Sequence, residues 1–308
     1  MTGDALMSGT KKSPLRRWWK RFRSPKLWTY EQYPARPLEL PTRYKAGPAS
    51  GRLQVAIVTP SFQHARFVRA TIDSVLQQDY RRLRYIVQDG ASSDGTRDIL
   101  AAYGPALQWN SEPDDGQACA INRGFARVSG DVMAWLNSDD ILLPGAVKHV
   151  VDVFEKNPDV DVVYGHRIYL DTQNRDIGRC ILPPHESEAL RWADYIPQET
   201  MFWRRRVWDA IGPLDESFHY ALDWDFILRA QAAGFRFKRL NRFLGGFRVH
   251  PAQKTTALKN VGDEEVARLH LRHLGGAPSP AEIRRNIKPF LKRHVLYDQL
   301  YRLGLIRP

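Results

Sequence analysis

A chain of 308 residues, 43% hydrophobic and 11% aromatic, is long enough to bury an ordinary core and too apolar to be a disordered tail. Its two cysteines, Cys119 and Cys180, stand far apart and outside any CxxC spacing, which points away from a disulfide framework and a thiolate zinc site. The net charge of +12 sits in the ends: residues 1–46 hold 11 Lys/Arg against 3 Asp/Glu and residues 281–308 hold 7 against 2, around a nearly neutral middle that disfavours a nucleic-acid groove.

Residues 1–50 read as a basic arm in which Trp18, Trp19 and Phe22 interleave with Lys and Arg before a run of prolines. That mixture suits an anionic bilayer surface, each basic residue adding about 1 kcal/mol, and a disordered leader is the alternative. No stretch approaches the roughly 20 apolar residues of a spanning helix, and the start lacks a signal peptide's apolar run. The expected location is therefore the cytoplasm, peripheral at the inner face of the membrane.

Residues 51–260 read as one catalytic domain. Leu53–Pro60 is a β-branched run closed by proline, a buried strand. A helix over 65–78, a strand over 83–87, a helix over 95–103, a short strand over 107–110, a helix over 117–128 and a strand over 132–136 follow. This alternation predicts an α/β fold, a mostly parallel sheet flanked by helices, with ligands outside the carboxyl ends of the strands. The second half reads as helix 144–156, strand 159–164, a mixed segment to 182, helix 186–193, a helix holding Trp224–Ala233, strand 235–240 and the stretch 243–249. Residues 261–308 read as a basic helical tail. There Ile283, Ile287, Leu291, Val295 and Leu300 form an apolar stripe beside Arg284, Arg285, Lys288 and Lys292, able to lie on a membrane or to pack on its own domain.

Five places carry candidate chemistry. Trp135-Leu136-Asn137-Ser138-Asp139-Asp140 ends a strand in two carboxylates, which a hard divalent cation, Mn²⁺ or Mg²⁺, would satisfy together with substrate phosphate oxygens; capping of the next helix is the alternative for one of them. Asp89 to Thr96 is a small-residue loop at a strand end, where a carboxylate could meet a base N–H or cap a helix. The loop ending in Gly116 opens a helix whose N-terminus could face phosphate, making Gln117 and Asn122 candidate donor contacts. Asp223 and Asp225 lie among aromatic residues, where burial would raise a carboxyl and suit it to general-base work, unless one of them caps the helix. His250, in Phe247-Arg248-Val249-His250, is either a further metal ligand or a structural imidazole.

In order and spacing these segments, from Val55-Ala56-Ile57-Val58-Thr59-Pro60 to Arg248-Val249-His250, resemble inverting glycosyltransferase family 2, whose catalytic domain has the GT-A fold. The resemblance implies that Thr59, Asp89 and Asp94 belong to the nucleotide site and that Asn137-Ser138-Asp139 occupies the family's Asp-x-Asp place. Asp139 and Asp140 then match positions that hold ribose and metal, with the first acid replaced by Asn137 and the division between the other two left open. Asp223 matches the catalytic base, preceded by Leu222 where an acid is usual. Gln198 and Glu199 match a segment lining the acceptor side. The implied substrates are a nucleotide-diphosphate sugar, a UDP-sugar foremost, and a glycan or lipid-linked glycan acceptor. A Gln-x-x-Arg-Trp motif is absent, which implies one sugar added per encounter.

The rival readings are weaker. Nucleotidyl transfer lacks its Gly-rich, Arg-bearing loop after the first strand, and no GxGxxG follows any strand. A degenerate transferase serving as a membrane-docked assembly partner would explain Asn137 and Leu222, but not the presence of Asp139, Asp140 and Asp223.

Overall fold

The computed structural model describes residues 25–45, 51–254 and 259–308. The aromatic-basic run Lys11–Arg23 lies outside the described residues, so its expected membrane role stays an expectation.

The first half builds as the periodicity predicts. Val55–Ser61 (β1), Leu83–Asp89 (β2), Gln108–Ser111 (β3) and Val132–Trp135 (β4) pair in parallel in the order β3-β2-β1-β4. Helices Val68–Leu76 (α1), Thr96–Ala101 (α2) and Gln117–Arg127 (α3) link them. β1 is buried at every position, as a strand covered on both faces must be. Its register with β2 sets Ser61 beside Asp89, and Asp89 beside Ser111, so three strand ends form one rim.

Beyond β4 the sheet becomes mixed. Ile141–Leu142 (β5), Val162–Leu170 (β6), Asp176–Cys180 (β7), Phe202–Arg204 (β8) and Phe237–Arg248 (β9) continue it as β4-β8-β6-β9-β5, with β7 on β6. Helices Ala146–Lys156 (α4), Ser187–Leu190 (α5), Arg205–Ile211 (α6) and Leu222–Ala232 (α7) lie among these strands. The strand expected over 235–240 and the stretch 243–249 are one element, β9, whose register with β6 shifts around His166. Gly245 is needed there: a Cβ on it would sit 2.6 Å from Glu199 Cγ and 2.9 Å from the Glu199 carbonyl. Under the sheet Trp135, Trp203 and Phe226 pack with ring centroids 5.4 and 4.9 Å apart, each such pair adding about 1 kcal/mol beyond its burial.

Residues 25–45 and the C-terminal helices pack on the sheet domain. Leu27 and Tyr44 are core residues, Tyr169 donates its hydroxyl to the Leu27 carbonyl at 2.6 Å, and Arg36 bridges to Asp176 in the sheet. At the other end lie Lys259–Leu274 (α8) and Pro280–Arg302 (α9), the latter opened by a Ser279/Glu282 capping box. On α9 Ile287 and Phe290 are buried, Ile283, Leu291, Val295 and Leu300 are half-buried and Leu296 is exposed; Phe290 meets Tyr195 at 4.1 Å between ring centroids. Arg284, Arg285, Lys288 and Lys292 face outward. Among the described residues no helix is long and apolar enough to cross a membrane.

Candidate active site

The strand-end rim opens into a cavity of about 1050 Å³. On one side the loops after β1 and β2 clasp each other. Gln63 N–H donates to Ser92 Oγ (2.8 Å), His64 N–H to Thr96 Oγ1 (3.2 Å) and Ala65 N–H to Asp94 Oδ2 (2.9 Å). Gln63 and Ala91 hold positive φ of 56° and 61°, left-handed turns that these cross-links over-determine. The Asp89 carboxylate, buried, accepts from Ser92 N–H and Oγ and from Ser111 Oγ at 2.6–2.9 Å. Thr59 Oγ1 accepts from the Tyr85 hydroxyl at 3.0 Å. Thr59 and Asp89 thus stand buried behind the wall and Asp94, exposed, ties its two loops together, while Ser61, Phe62, Gly90 and Asp114 form its surface. Ser61 Oγ is buried without a partner, a polar atom left for a ligand. A Cβ on Gly90 would fall 2.9 Å from Asp114 Oδ2 and 3.3 Å from Phe62, closing the gap between them.

The loop after β4 supplies the next wall. Asn137, Ser138, Asp139 and Asp140 all line the cavity, and Gln117 Nε2, at the start of α3, donates to Asn137 Oδ1 at 2.6 Å. Asn122, one turn on, is turned elsewhere: its amide both donates to and accepts from the Leu214 backbone at 3.0 Å, clamping the 214–216 loop. Its place is away from the cavity wall, unlike the donor contact expected of it.

Asp139 and Asp140 diverge. Asp139 Oδ2 lies 3.0 Å from His250 Nε2, whereas Asp140 Oδ1 accepts the Arg248 backbone N–H at 3.0 Å and is buried. Burial works to raise the Asp139 carboxyl, but the His250 hydrogen bond and the neighbouring imidazoles outweigh it and hold it below the usual carboxylate range. Asp140 is pushed well up by burial and then by Asp139 itself. Asp139 is therefore the charged acid of the pair, and Asp140 fixes the end of β9 that carries His250. Among the described residues no cluster of three His, Cys, Asp or Glu side chains forms a cage for a metal. An ionised carboxylate beside an imidazole nonetheless fits a divalent cation that draws its other ligands from diphosphate and water, as Mg²⁺ sites commonly do.

The opposite wall holds Asp223 at the start of α7. The loop that leads into the helix is pinned from a distance: Glu265 of α8 accepts the N–H groups of His219, Tyr220 and Ala221 at 2.7–2.8 Å. Asp225 is spent on Arg229 and Arg272, each at 2.7 Å. Asp223 faces the cavity, its Oδ1 accepting the Trp224 N–H at 2.9 Å, and burial raises it. Gln198 Nε2 donates to the Trp135 carbonyl at 2.9 Å while its Oε1 is buried without a partner; Glu199 holds Arg167 by a two-pronged ion pair, Nε to Oε1 being 2.8 Å. Both line the cavity.

Three cavity residues escaped the reading of the sequence. Lys254 donates to Gln117 Oε1 at 2.5 Å and to the His219 carbonyl at 2.9 Å, joining α3 to the loop before α7. Arg167 is hidden inside a long strand. Asp194, in Trp192-Ala193-Asp194-Tyr195, carries the signal that marked Asp223, an acid among aromatics.

A family model described as Glycosyl transferase family 2 matches residues 56–213. An uncharacterised glycosyltransferase of Rickettsia typhi is 28% identical over 227 residues, 69% of this chain and 69% of its own length. One from Mycobacterium tuberculosis is 32% identical over 183 residues, 57% of this chain and 68% of its own. Among solved structures, S. aureus TarS 1–349 in complex with UDP-GlcNAc superposes with a TM-score of 0.59 at 16% identity, covering 79% of this chain and 73% of that one. A mannosyltransferase from Pyrobaculum calidifontis in complex with GDP-Man and Mn²⁺ gives 0.58 at 18% identity, covering 92% and 77%. The shared architecture is of the GT-A type.

Proposed function

Because the chain belongs to glycosyl transferase family 2 and is a glycosyltransferase, we propose that it transfers a sugar, with inversion, from a nucleotide diphosphate to a hydroxyl of a glycan or lipid-linked glycan. A UDP-sugar is the first donor to try. UDP-GlcNAc, UDP and GDP-Man in the solved relatives support a nucleotide-sugar donor, and the Mn²⁺ in one of them supports a divalent cation.

In this reading the nucleotide lies along Ser61, Gly90 and Asp114, on a wall shaped by Thr59, Asp89 and Asp94. Gln117 and Asn137 follow toward the diphosphate, with Asn122 bracing α3 behind them. Asp139 and His250 hold Mn²⁺ or Mg²⁺, with Asp140 anchoring the strand end that presents His250. When bound, the cation offsets the charge of the departing diphosphate. Lys254 adds a protein cation on the same side. Asp223 takes the proton of the acceptor hydroxyl as its oxygen bonds to the anomeric carbon; the bond from that carbon to the diphosphate breaks on the opposite face, inverting the configuration. Gln198 and Glu199 with Arg167 shape the acceptor side. The outward basic face of α9, with the basic residues before 25, would hold the enzyme at an anionic membrane surface by charge.

The observation that carries this reading is that Asp139, paired with the buried His250, lines the same cavity as Asp223. Slow hydrolysis of UDP-, GDP- and dTDP-sugars with Mn²⁺ or Mg²⁺ tests it without knowledge of the acceptor. Cation-dependent turnover of one donor, lost in Asp139→Asn, is expected. No turnover of any donor would favour the degenerate assembly partner.

A further inference from the structure

Resting on the transferase reading, we propose that Lys254 is the leaving-group cation: its ammonium hydrogen-bonds the distal phosphoryl group of the donor's diphosphate at the start of α3. Lys254 lines the cavity four residues after His250, beyond a turn closed in both directions. Gln253 N–H donates to the His250 carbonyl at 3.2 Å, and His250 N–H donates to Gln253 Oε1 at 3.1 Å. That turn ties the place of Lys254 to that of His250, and through it to Asp139.

An ammonium has three N–H donors. Lys254 gives one to Gln117 Oε1 at 2.5 Å and one to the His219 carbonyl at 2.9 Å; the third has no acceptor among the described residues. Both acceptors are neutral, so the charge is not committed to a carboxylate. Among the described residues the other Lys or Arg lining the cavity, Arg167, is neutralised by Glu199. The acids around Lys254 are Asp223, Glu265, Asp139 and Asp114, which favour its charge while burial works against it. Each is engaged by another group: Asp223 by Trp224 N–H, Glu265 by the loop before α7, Asp139 by His250 and Asp114 by Gly116 N–H.

What this corner receives follows from the donors that meet there. Gln117, the first residue of α3, donates its Nε2 to Asn137 Oδ1 at 2.6 Å, and the helix opens on Gly116 with no side chain to cap it. An uncapped helix N-terminus beside an ammonium with a donor to spare favours an anion. In the donor that anion is the diphosphate. As its bond to the anomeric carbon breaks, the electron pair stays on the phosphate oxygen, and the ammonium takes up part of the growing charge.

The experiment uses the full chain with Mn²⁺ and the nucleotide pair of the donor found by hydrolysis: UDP and UMP, GDP and GMP, or dTDP and dTMP. Calorimetry reads both affinities in wild type, Lys254→Met and Lys254→Arg. Lys254→Met should weaken the diphosphate about 10- to 100-fold, the loss of one hydrogen bond to a charged group, and the monophosphate less than about threefold, which also checks folding. Lys254→Arg, which keeps the charge, should hold the ratio of the two affinities within about threefold of wild type. A mere strut between α3 and the His219 loop would leave that ratio unchanged in Lys254→Met. An unchanged ratio there, or a Lys254→Arg variant as weak for the diphosphate as Lys254→Met, would overturn the proposal, while wild-type hydrolysis leaves the transferase reading standing. Absence of wild-type hydrolysis and of nucleotide binding would remove both.

Discussion

The two walls of the cavity are built on opposite principles. On the proposed donor side the carboxylates of Asp89 and Asp94 each accept three hydrogen bonds from N–H and hydroxyl groups, of their own loop and of Ser111 and Ala65 beside it, and bonds between the same two loops hold the left-handed turns at Gln63 and Ala91. On the acceptor side Asp223 and Asp194 are raised by burial, and each accepts a backbone N–H. The first wall is a rigid mould, and its acids act through the shape they hold. The second keeps its acids in reserve, at a cost in desolvation that a reacting hydroxyl offsets.

Substitutions on the two walls should therefore fail in different ways. The largest expected effect is Asp223→Asn, which should cut transfer by about 10²- to 10⁴-fold while donor affinity is unchanged. In wild type, transfer should rise with pH through the raised Asp223 carboxyl, because only its ionised form accepts a proton; a rate–pH profile checks this. Asp139→Asn should reduce donor hydrolysis by about 10²-fold and weaken its cation dependence, read by titrating Mn²⁺. Asp89→Ala strands Ser92 N–H and Ser111 Oγ beneath the donor wall and should cost about 1–3 kcal/mol of stability in urea unfolding. Lys148→Ala breaks only the exposed Lys148–Asp152 pair of α4, at 3.0 Å, and should cost less than about 1 kcal/mol.

How far the sequence could be read follows the same division. β1 to β4 and α1 to α3 were legible because each is a short periodic segment with local punctuation, and Asn137–Asp140 stood out as acids at a strand end. β9 read as two pieces because the polar pair Asn241-Arg242 interrupts its apolar run; the reason for Gly245 in the second piece, the approach to Glu199, is a long-range contact. β8, of three residues, is too short to show a period. The loop before α7 is held by Glu265, more than forty residues downstream, a long-range contact that no local pattern around Asp223 and Asp225 reveals. Residues 25–45 read as an arm because prolines and charges mask the few anchors, Leu27 and Tyr44, that seat them. The separate fates of Asp139 and Asp140 depend on which faces His250, which no spacing reveals.

The most direct test of a cavity divided between donor and base is a side-by-side measurement of donor hydrolysis, donor affinity and transfer in Asp139→Asn and Asp223→Asn. Asp139→Asn should lose hydrolysis and transfer together, while Asp223→Asn should bind donor as wild type does and lose transfer alone. Equal loss of donor affinity in both variants, or full transfer in Asp223→Asn, would contradict it.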